Sequence, residues 1–169
     1  MNEGAFWTLV AECRRDSDGD VHGMASLLCD RLTQLTPQDI NDFCGHWHHA
    51  TSQAYTWKLW AAALVMVGTV GDDGFVDFRS WLISHGRDAY DRIVDDPERL
   101  DELAWDRSNA LTEAFVYIGG MAYERLTGED PPVLSIDHRR VPAGDPIDLD
   151  NDDAVLAAVP RLATRLRAG

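Results

Sequence analysis

Hydrophobic side chains recur every three or four residues along most of this 169-residue chain, which is the spacing of an amphipathic helix. The pattern predicts a first helix over Glu3–Arg14, a second over Val21–Leu35 and a fourth over Ser52–Val67. Between them, Thr36 and Pro37 form a typical start of a third helix, because threonine caps free amide groups and proline suits the first helical position. The first 67 residues are therefore expected to form four helices.

The helical spacing continues in the second half of the chain. We expect a central helix, two short helices over residues 88–94 and 96–103, and a longer one over Ser108–Leu126. The pair Gly119–Gly120 lies inside this long helix and costs about 1 kcal/mol per glycine relative to alanine, which indicates a close helix contact or a kink. Only Val133–Ile136 has a pattern that allows a short strand.

The composition changes after the predicted long helix. Residues 127–153 carry four prolines, and eight acidic residues face two arginines, which is typical of an irregular segment. A last helix with leucine and valine on one face is interrupted by Pro160 and is expected to pack back on the rest. The sequence thus predicts one all-α domain over residues 1–169, with about seven to nine helices. Its parts are a helical core (1–126), an irregular acidic arm (127–152) and a C-terminal helix (153–168).

The excess of acidic residues limits the kinds of molecule that this protein is expected to bind. The chain has 29 acidic residues against 15 lysines and arginines, a net charge of −14. Such a surface repels phosphate backbones, so nucleic-acid binding is not expected, whereas a basic protein partner or a small ligand is compatible with it. The longest apolar run, Ala61–Val67, is too short to cross a bilayer, and the acidic start does not resemble a signal peptide. We therefore expect a cytoplasmic protein with reduced cysteines and no membrane partner.

The helix predicted after Gly71 holds the strongest set of chemistry-bearing residues. Arg79 projects from its apolar side, and Asp72 projects from the same side two turns earlier. A guanidinium against a core keeps its charge, so Asp72 or Asp73 is expected as its partner. With Arg87, these residues predict a pocket in which arginine holds an anionic group and a carboxylate accepts a proton or an amine. The alternative is structural: Asp72 or Asp73 caps the helix and a buried ion pair fixes its position.

Six tryptophans are many for this length, and aromatic clusters line ligand pockets as well as cores. Trp57 and Trp81 are the two that we include among the candidate ligand-binding residues, although their helical spacing also suits a core. The histidines at 46, 48 and 49 and the D-S-D-G-D stretch at residues 16–20 lack the spacing of a zinc or calcium site. We therefore expect no metal and no cofactor.

Several blocks of the chain are similar to the bacterial domain of unknown function 4240 family. They are F-W-T-L-V from Phe6, Y-T-W-K-L-W-A-A-A-L from Tyr55, D-D-G-F-V-D-F-R-S-W-L-I from Asp72 and A-Y-E-R-L-T-G from Ala122, with a weaker likeness near Pro160. The resemblance implies a small, cytoplasmic, mostly helical protein. It supplies no activity and no functional residues that can be transferred to this chain.

The sequence leaves three kinds of function open. The first is a binding or regulatory interaction module with an acidic surface, and the absence of P-loop, G-x-S-x-G and H-E-x-x-H motifs favours it. The second is an enzyme of unfamiliar type that uses the pocket of Asp72, Asp73, Arg79 and Arg87. The third is a structural domain that pairs with a copy of itself.

Overall fold

A computed structural model of the protein describes residues 1–133 and 140–168, and these residues confirm the all-α prediction. They form ten α-helices and two short 3-10 helices, over Pro97–Glu102 and Glu113–Phe115, and contain no β-strand. The α-helices are α1 (Glu3–Asp16), α2 (Val21–Leu32), α3 (Pro37–Gln53), α4 (Trp57–Val67), α5 (Asp72–Ser84), α6 (Arg87–Asp95), α7 (Arg107–Ala110), α8 (Ile118–Thr127), α9 (Asp152–Ala158) and α10 (Pro160–Ala168). The predicted strand at Val133–Ile136 falls mostly outside the described residues.

The starts of the first helices follow from short polar side chains. Thr36 accepts a hydrogen bond from the backbone amide of Asp39 at 3.1 Å, which confirms the predicted start of α3. The predicted boundary between the third and fourth helices was wrong. Helix α3 continues to Gln53, and α4 begins only at Trp57, where the Thr56 side chain accepts from the amide of Leu59 at 3.1 Å.

The predicted long helix over Ser108–Leu126 is broken into α7, a 3-10 turn and α8. The side chain of Thr112 accepts a hydrogen bond from the amide of Ala114, and this local cap starts the 3-10 turn where an unbroken helix was expected. The break lets Phe115 enter the core and brings α8 against α2 and α3. The glycine pair does mark a close contact, because a Cβ added at Gly119 would lie 2.1 Å from the sulfur of Cys44.

Helix α5 lies at the centre of the fold. It packs against α1, α3, α4, α6, α7 and the 3-10 turn at Glu113–Phe115. Its residues Phe75, Phe78 and Leu82 are fully buried, as the hydrophobic pattern requires. These side chains belong to one hydrophobic cluster that extends from α1 to α10. Any polar group on the inner side of α5 is therefore held by contacts with several helices.

The segment between α8 and α9 is irregular in its described part and is tied to the turn before α4. The amide of Trp57 donates to the carbonyl of Ala143 at 3.0 Å, and the amide of Ala143 donates to the carbonyl of Tyr55 at 2.9 Å. Helix α9 then packs against α4, and α10 packs against the 3-10 helix Pro97–Glu102. The chain from residue 140 onward therefore forms one wall of the region around the start of α4.

No single helix in the described part of the chain combines the length and the hydropathy needed to cross a membrane. Helices α4 and α5 meet that test only when they are taken together, with a bend of 92° between them.

Candidate functional site

Arg79 is buried inside the fold, with 9% of its surface exposed, and it is held by the backbone and by aromatic rings. Its Nε donates to the carbonyl of Phe75 at 3.1 Å, one helical turn earlier, and its Nη1 donates to the carbonyl of Thr51 at 2.7 Å. The centre of the guanidinium lies 4.6 Å from the ring centroid of Tyr55 and 5.0 Å from that of Phe75. Cation–π contacts of this kind stabilise a desolvated arginine.

The expected ion pair between Arg79 and Asp72 or Asp73 is not formed. No carboxylate of the described residues pairs with this guanidinium, and α3 supplies its acceptor instead. Thr51 lies in the last turn of α3, whose carbonyl groups carry a partial negative charge, and this turn contains no basic residue of its own. Arg79 of α5 thus takes the place of the missing cation at the end of α3. Burial lowers the pKa of Arg79, but an arginine remains charged in any protein environment near neutral pH.

A pocket of about 360 Å³ opens beside this cation. Its lining combines polar side chains of α3 and the following turn with one face of α5: His48, Thr51, Ser52, Tyr55, Asp72, Val76 and Arg79. The Nη2 of Arg79 has no hydrogen-bond partner among the described residues, and it is not among their buried, unsatisfied atoms. Two N–H groups of a permanent cation are therefore available at the pocket.

The predicted capping role of the two aspartates is wrong. Gly71 occupies the cap position of α5 without a side-chain hydrogen bond, because the helix already begins at Asp72 and its first turn contains both carboxylates. Both side chains are exposed, in a position where the helix dipole favours an anion. Asp72 lines the same pocket as Arg79, and Asp73 does not.

Two further predicted residues lie elsewhere. Arg87 begins α6 on the surface and pairs with Glu3 at 3.3 Å and with Asp91 at 3.4 Å. Trp81 is 1% exposed and its ring meets that of His85 at 4.5 Å, so it is a core residue. The structure therefore separates both residues from the pocket, since Arg87 lies on the surface at the start of α6 and Trp81 lies on the buried face of α5.

Trp57 lines a neighbouring pocket of about 470 Å³, which shares Tyr55 and Asp72 with the pocket at Arg79. The other walls of this second pocket are Trp60 and residues of the irregular segment from Arg140 to Asp150. Trp57 stacks on Trp60 with ring centroids 6.4 Å apart, and its buried Nε1 has no hydrogen-bond partner among the described residues. A ligand of sufficient length can therefore contact both pockets across Tyr55.

Sequence reasoning missed Thr51 and Tyr55. The contribution of Thr51 is a backbone carbonyl, and every residue has one, so no sequence pattern identifies it. Tyr55 follows directly after α3, and it is the kind of aromatic residue that stacks on an arginine, but it precedes Arg79 by 24 positions. Only the packing of α5 on the end of α3 brings the two together.

Metal binding has no support in the described part of the chain. No group of three histidines, cysteines or carboxylates is placed there to hold an ion. The cysteines at positions 13, 29 and 44 are free, and burial raises the pKa of Cys13 and of Cys44 to about 11. Such thiols stay protonated near neutral pH and are poor nucleophiles and poor metal ligands.

The fold and the site define an all-helical protein in which a buried arginine, without a carboxylate partner among the described residues, faces a pocket. Residues 1–125 match the family model described as protein of unknown function (DUF4240), and the chain belongs to that family. Comparison with curated proteins and with solved structures gave no match.

Proposed function

We propose that this protein is a binding module for a small ligand whose anionic group pairs with Arg79. The observation that carries the proposal is the charge of this residue: its buried guanidinium donates hydrogen bonds to two backbone carbonyl groups and pairs with no carboxylate of the described residues. A buried cation without a counter-ion is costly, and an anion that enters the pocket offsets this cost.

The pocket supports this proposal by its size and by its lining. Its volume of about 360 Å³ lies within the range of small-molecule sites. The hydroxyl groups of Thr51, Ser52 and Tyr55 belong to residues of its wall and provide further hydrogen-bonding capacity around the anionic group. Carboxylate and phosphate groups both fit the planar fork of an arginine.

The net charge of −14 limits the class of anion. A polyanion such as a nucleic acid is repelled by the surface before it reaches the pocket. A ligand with a single anionic group, screened by salt or compensated by a cationic group of its own, meets a much smaller barrier. A small ligand with one carboxylate therefore suits this protein better than a polymer of phosphates.

Calorimetric titration with sodium acetate tests the proposal. We expect saturable binding to the wild type with a Kd on the order of millimolar. Arg79→Lys keeps a charge but lacks the fork and should bind about tenfold more weakly, and Arg79→Met should not bind. The matched control is Arg87→Lys, because Arg87 is exposed and paired with Glu3 and Asp91, and its affinity should equal that of the wild type. Equal binding of acetate to the wild type and to Arg79→Met, or no saturable binding, would contradict the proposal.

A second candidate function is the docking of a basic partner in the groove between α4 and α9. This groove of about 800 Å³ has an apolar floor, which includes Leu64 and Val155, and its wall carries the carboxylates of Asp72, Asp150 and Asp152. Apolar area bordered by one sign of charge is complementary to an amphipathic basic segment.

A synthetic amphipathic peptide of lysine and leucine tests this second candidate. We expect it to bind the wild type with an affinity that falls as salt is raised, and to bind Asp150→Asn/Asp152→Asn more weakly. Asp88→Asn/Asp95→Asn is the matched control, because it likewise removes two exposed carboxylates, on α6 and outside the groove. An equal loss of affinity in the control variant would show attraction by the overall charge and would exclude a specific groove.

A further inference from the structure

The residues shared by the two pockets at the start of α5 restrict the chemical class of the ligand beyond the requirement for an anionic group. Asp72 lines the pocket of Arg79, the pocket of Trp57 and the groove between α4 and α9. Its carboxylate is exposed and makes no ion pair with any described residue. A ligand whose anionic group pairs with Arg79 is repelled by the carboxylate of Asp72 unless the same ligand carries a cationic group.

The positions of the two charges are set by helix α5. Arg79 follows Asp72 by two turns, but its side chain runs back toward the start of the helix, since its Nε bonds to the carbonyl of Phe75. The guanidinium therefore lies about one turn from the level of Asp72. Both groups line one pocket, so one compact ligand can meet both of them.

The third element of the site is aromatic. Tyr55 stacks on the guanidinium and lines both pockets, and the rings of Trp57 and Trp60 continue the wall away from Arg79. Trp60 in turn stacks on Phe75 with centroids 4.6 Å apart, which fixes the row of rings to the core. Rigid aromatic faces of this kind bind flat or large apolar groups.

We propose that the ligand is a free α-amino acid with a large apolar or aromatic side chain. Its carboxylate pairs with Arg79, its ammonium group pairs with Asp72, and its side chain lies across Tyr55 toward Trp57. This inference rests on the proposed function, because it assumes that the pocket of Arg79 binds an anionic group. It adds the two features that acetate lacks, and it agrees with the acidic surface, because an amino acid carries no net charge.

The test uses four probes with the wild-type protein. L-phenylalanine carries all three groups, phenylalaninamide lacks the carboxylate, 3-phenylpropanoate lacks the ammonium group, and L-alanine lacks the ring. We expect L-phenylalanine to bind at least about tenfold more tightly than each of the other three by calorimetry. Equal affinity of 3-phenylpropanoate and L-phenylalanine overturns the role of Asp72, and equal affinity of L-alanine and L-phenylalanine overturns the role of the aromatic wall.

Single variants then assign each group to its residue. Asp72→Asn should weaken the binding of L-phenylalanine about tenfold. The same variant should bind 3-phenylpropanoate at least as tightly as the wild type does, because it removes a repelling carboxylate. Trp57→Ala should weaken L-phenylalanine and leave L-alanine unchanged. Asp72 is exposed, so its variant is expected to fold, and circular dichroism checks this for both variants. If either variant weakens all probes equally, the assignment of its group is wrong.

The outcomes separate this inference from the proposed function. If acetate binds through Arg79 and L-phenylalanine binds no more tightly than acetate, the anion site stands and the amino-acid inference fails. If neither acetate nor L-phenylalanine binds to the wild type, both proposals fail.

Discussion

The guanidinium of Arg79 supplies a positive charge to the last turn of α3, which has no basic residue of its own. That turn ends in carbonyl groups with a partial negative charge, and Arg79 donates to the carbonyl of Thr51 within it. The prediction that this arginine faces the core rests on residue spacing and holds in the structure. Its partner was mistaken for a carboxylate, because sequence spacing shows which residues share a face but not which backbone lies opposite.

Adding a single carbon atom at Gly119 tests how closely α8 packs on α3. A Cβ at this position would lie 2.1 Å from the sulfur of Cys44, so Gly119→Ala should reduce the free energy of unfolding by about 1–3 kcal/mol. Gly120→Ala is the matched control, since its Cβ would meet Pro131 at 3.6 Å, an ordinary contact, and its stability should equal or exceed that of the wild type.

Chemical denaturation measures both variants. The double variant Cys44→Ala/Gly119→Ala removes the obstructing sulfur and should recover stability relative to Gly119→Ala alone. Equal stability of Gly119→Ala and the wild type would mean that the side chain of Cys44 or helix α8 moves aside at little cost.

His85 makes stability depend on pH in a defined range. Burial, together with the nearby charge of Arg14, lowers its pKa to about 4, whereas an unfolded histidine has a pKa near 6.5. The unfolded chain therefore binds more protons than the folded chain between these values, so stability falls as pH falls from about 6.5 to 4. The contribution of one such group to the slope is at most about 1.4 kcal/mol per pH unit. Denaturation from pH 7.5 to 4.5 should give a flatter profile for His85→Gln than for the wild type, and identical profiles would contradict this account.

At the scale of elements, the last helix is fixed in place by carboxylates of the 3-10 helix Pro97–Glu102. Helix α10 begins at Pro160. The carboxylate of Glu98, a residue that is 5% exposed, accepts a hydrogen bond of 2.6 Å from the backbone amide of Arg161. Glu98 thus caps α10 from the 3-10 helix, and Arg165 pairs with Asp101 at 2.5 Å beside it. Burial would raise the pKa of Glu98, but the hydrogen bonds from Arg161 outweigh it and keep that pKa below its usual range.

Glu98→Ala should therefore destabilise the protein by about 1–3 kcal/mol, because it removes a cap and leaves the part-buried amide of Arg161 without its hydrogen-bond partner. Hydrogen exchange should show the largest loss of protection in α10. Glu102→Ala serves as the control, since the pair of Glu102 with Arg99 is exposed and should contribute at most about 1 kcal/mol. Equal effects of the two substitutions would mean that Glu98 does not act as a cap.

The positions of helices followed from the sequence more reliably than their ends. Helix α3 starts where Thr36 and Pro37 predict, because that signal is local. The break between α7 and α8 was missed because Ser108–Leu126 keeps the helical spacing of apolar residues through the turn. The Thr112 cap starts the 3-10 turn, and the packing of Phe115 and Gly119 on other helices stabilises the broken form. A pattern along one segment contains no information about the surface on which that segment packs.

At the scale of the whole molecule, a strongly acidic protein contains a buried cationic side chain, Arg79, on its central helix. The net charge of −14 was evident from composition, and the inward position of Arg79 from periodicity. The pocket was not predictable in detail, because its lining comes from α3, the turn that contains Tyr55, and α5. The same packing that assembles this lining excludes Trp81 and Arg87 from it.

Ligand binding as proposed for this protein depends most on an anion reaching the guanidinium of Arg79. Nuclear magnetic resonance of the arginine Nε–H groups during an acetate titration observes this event directly. The resonance that is absent from Arg79→Lys should shift and saturate with the calorimetric Kd, while the resonance of Arg87 stays in place. A shift that does not saturate, or one of equal size on Arg79 and Arg87, would contradict the account.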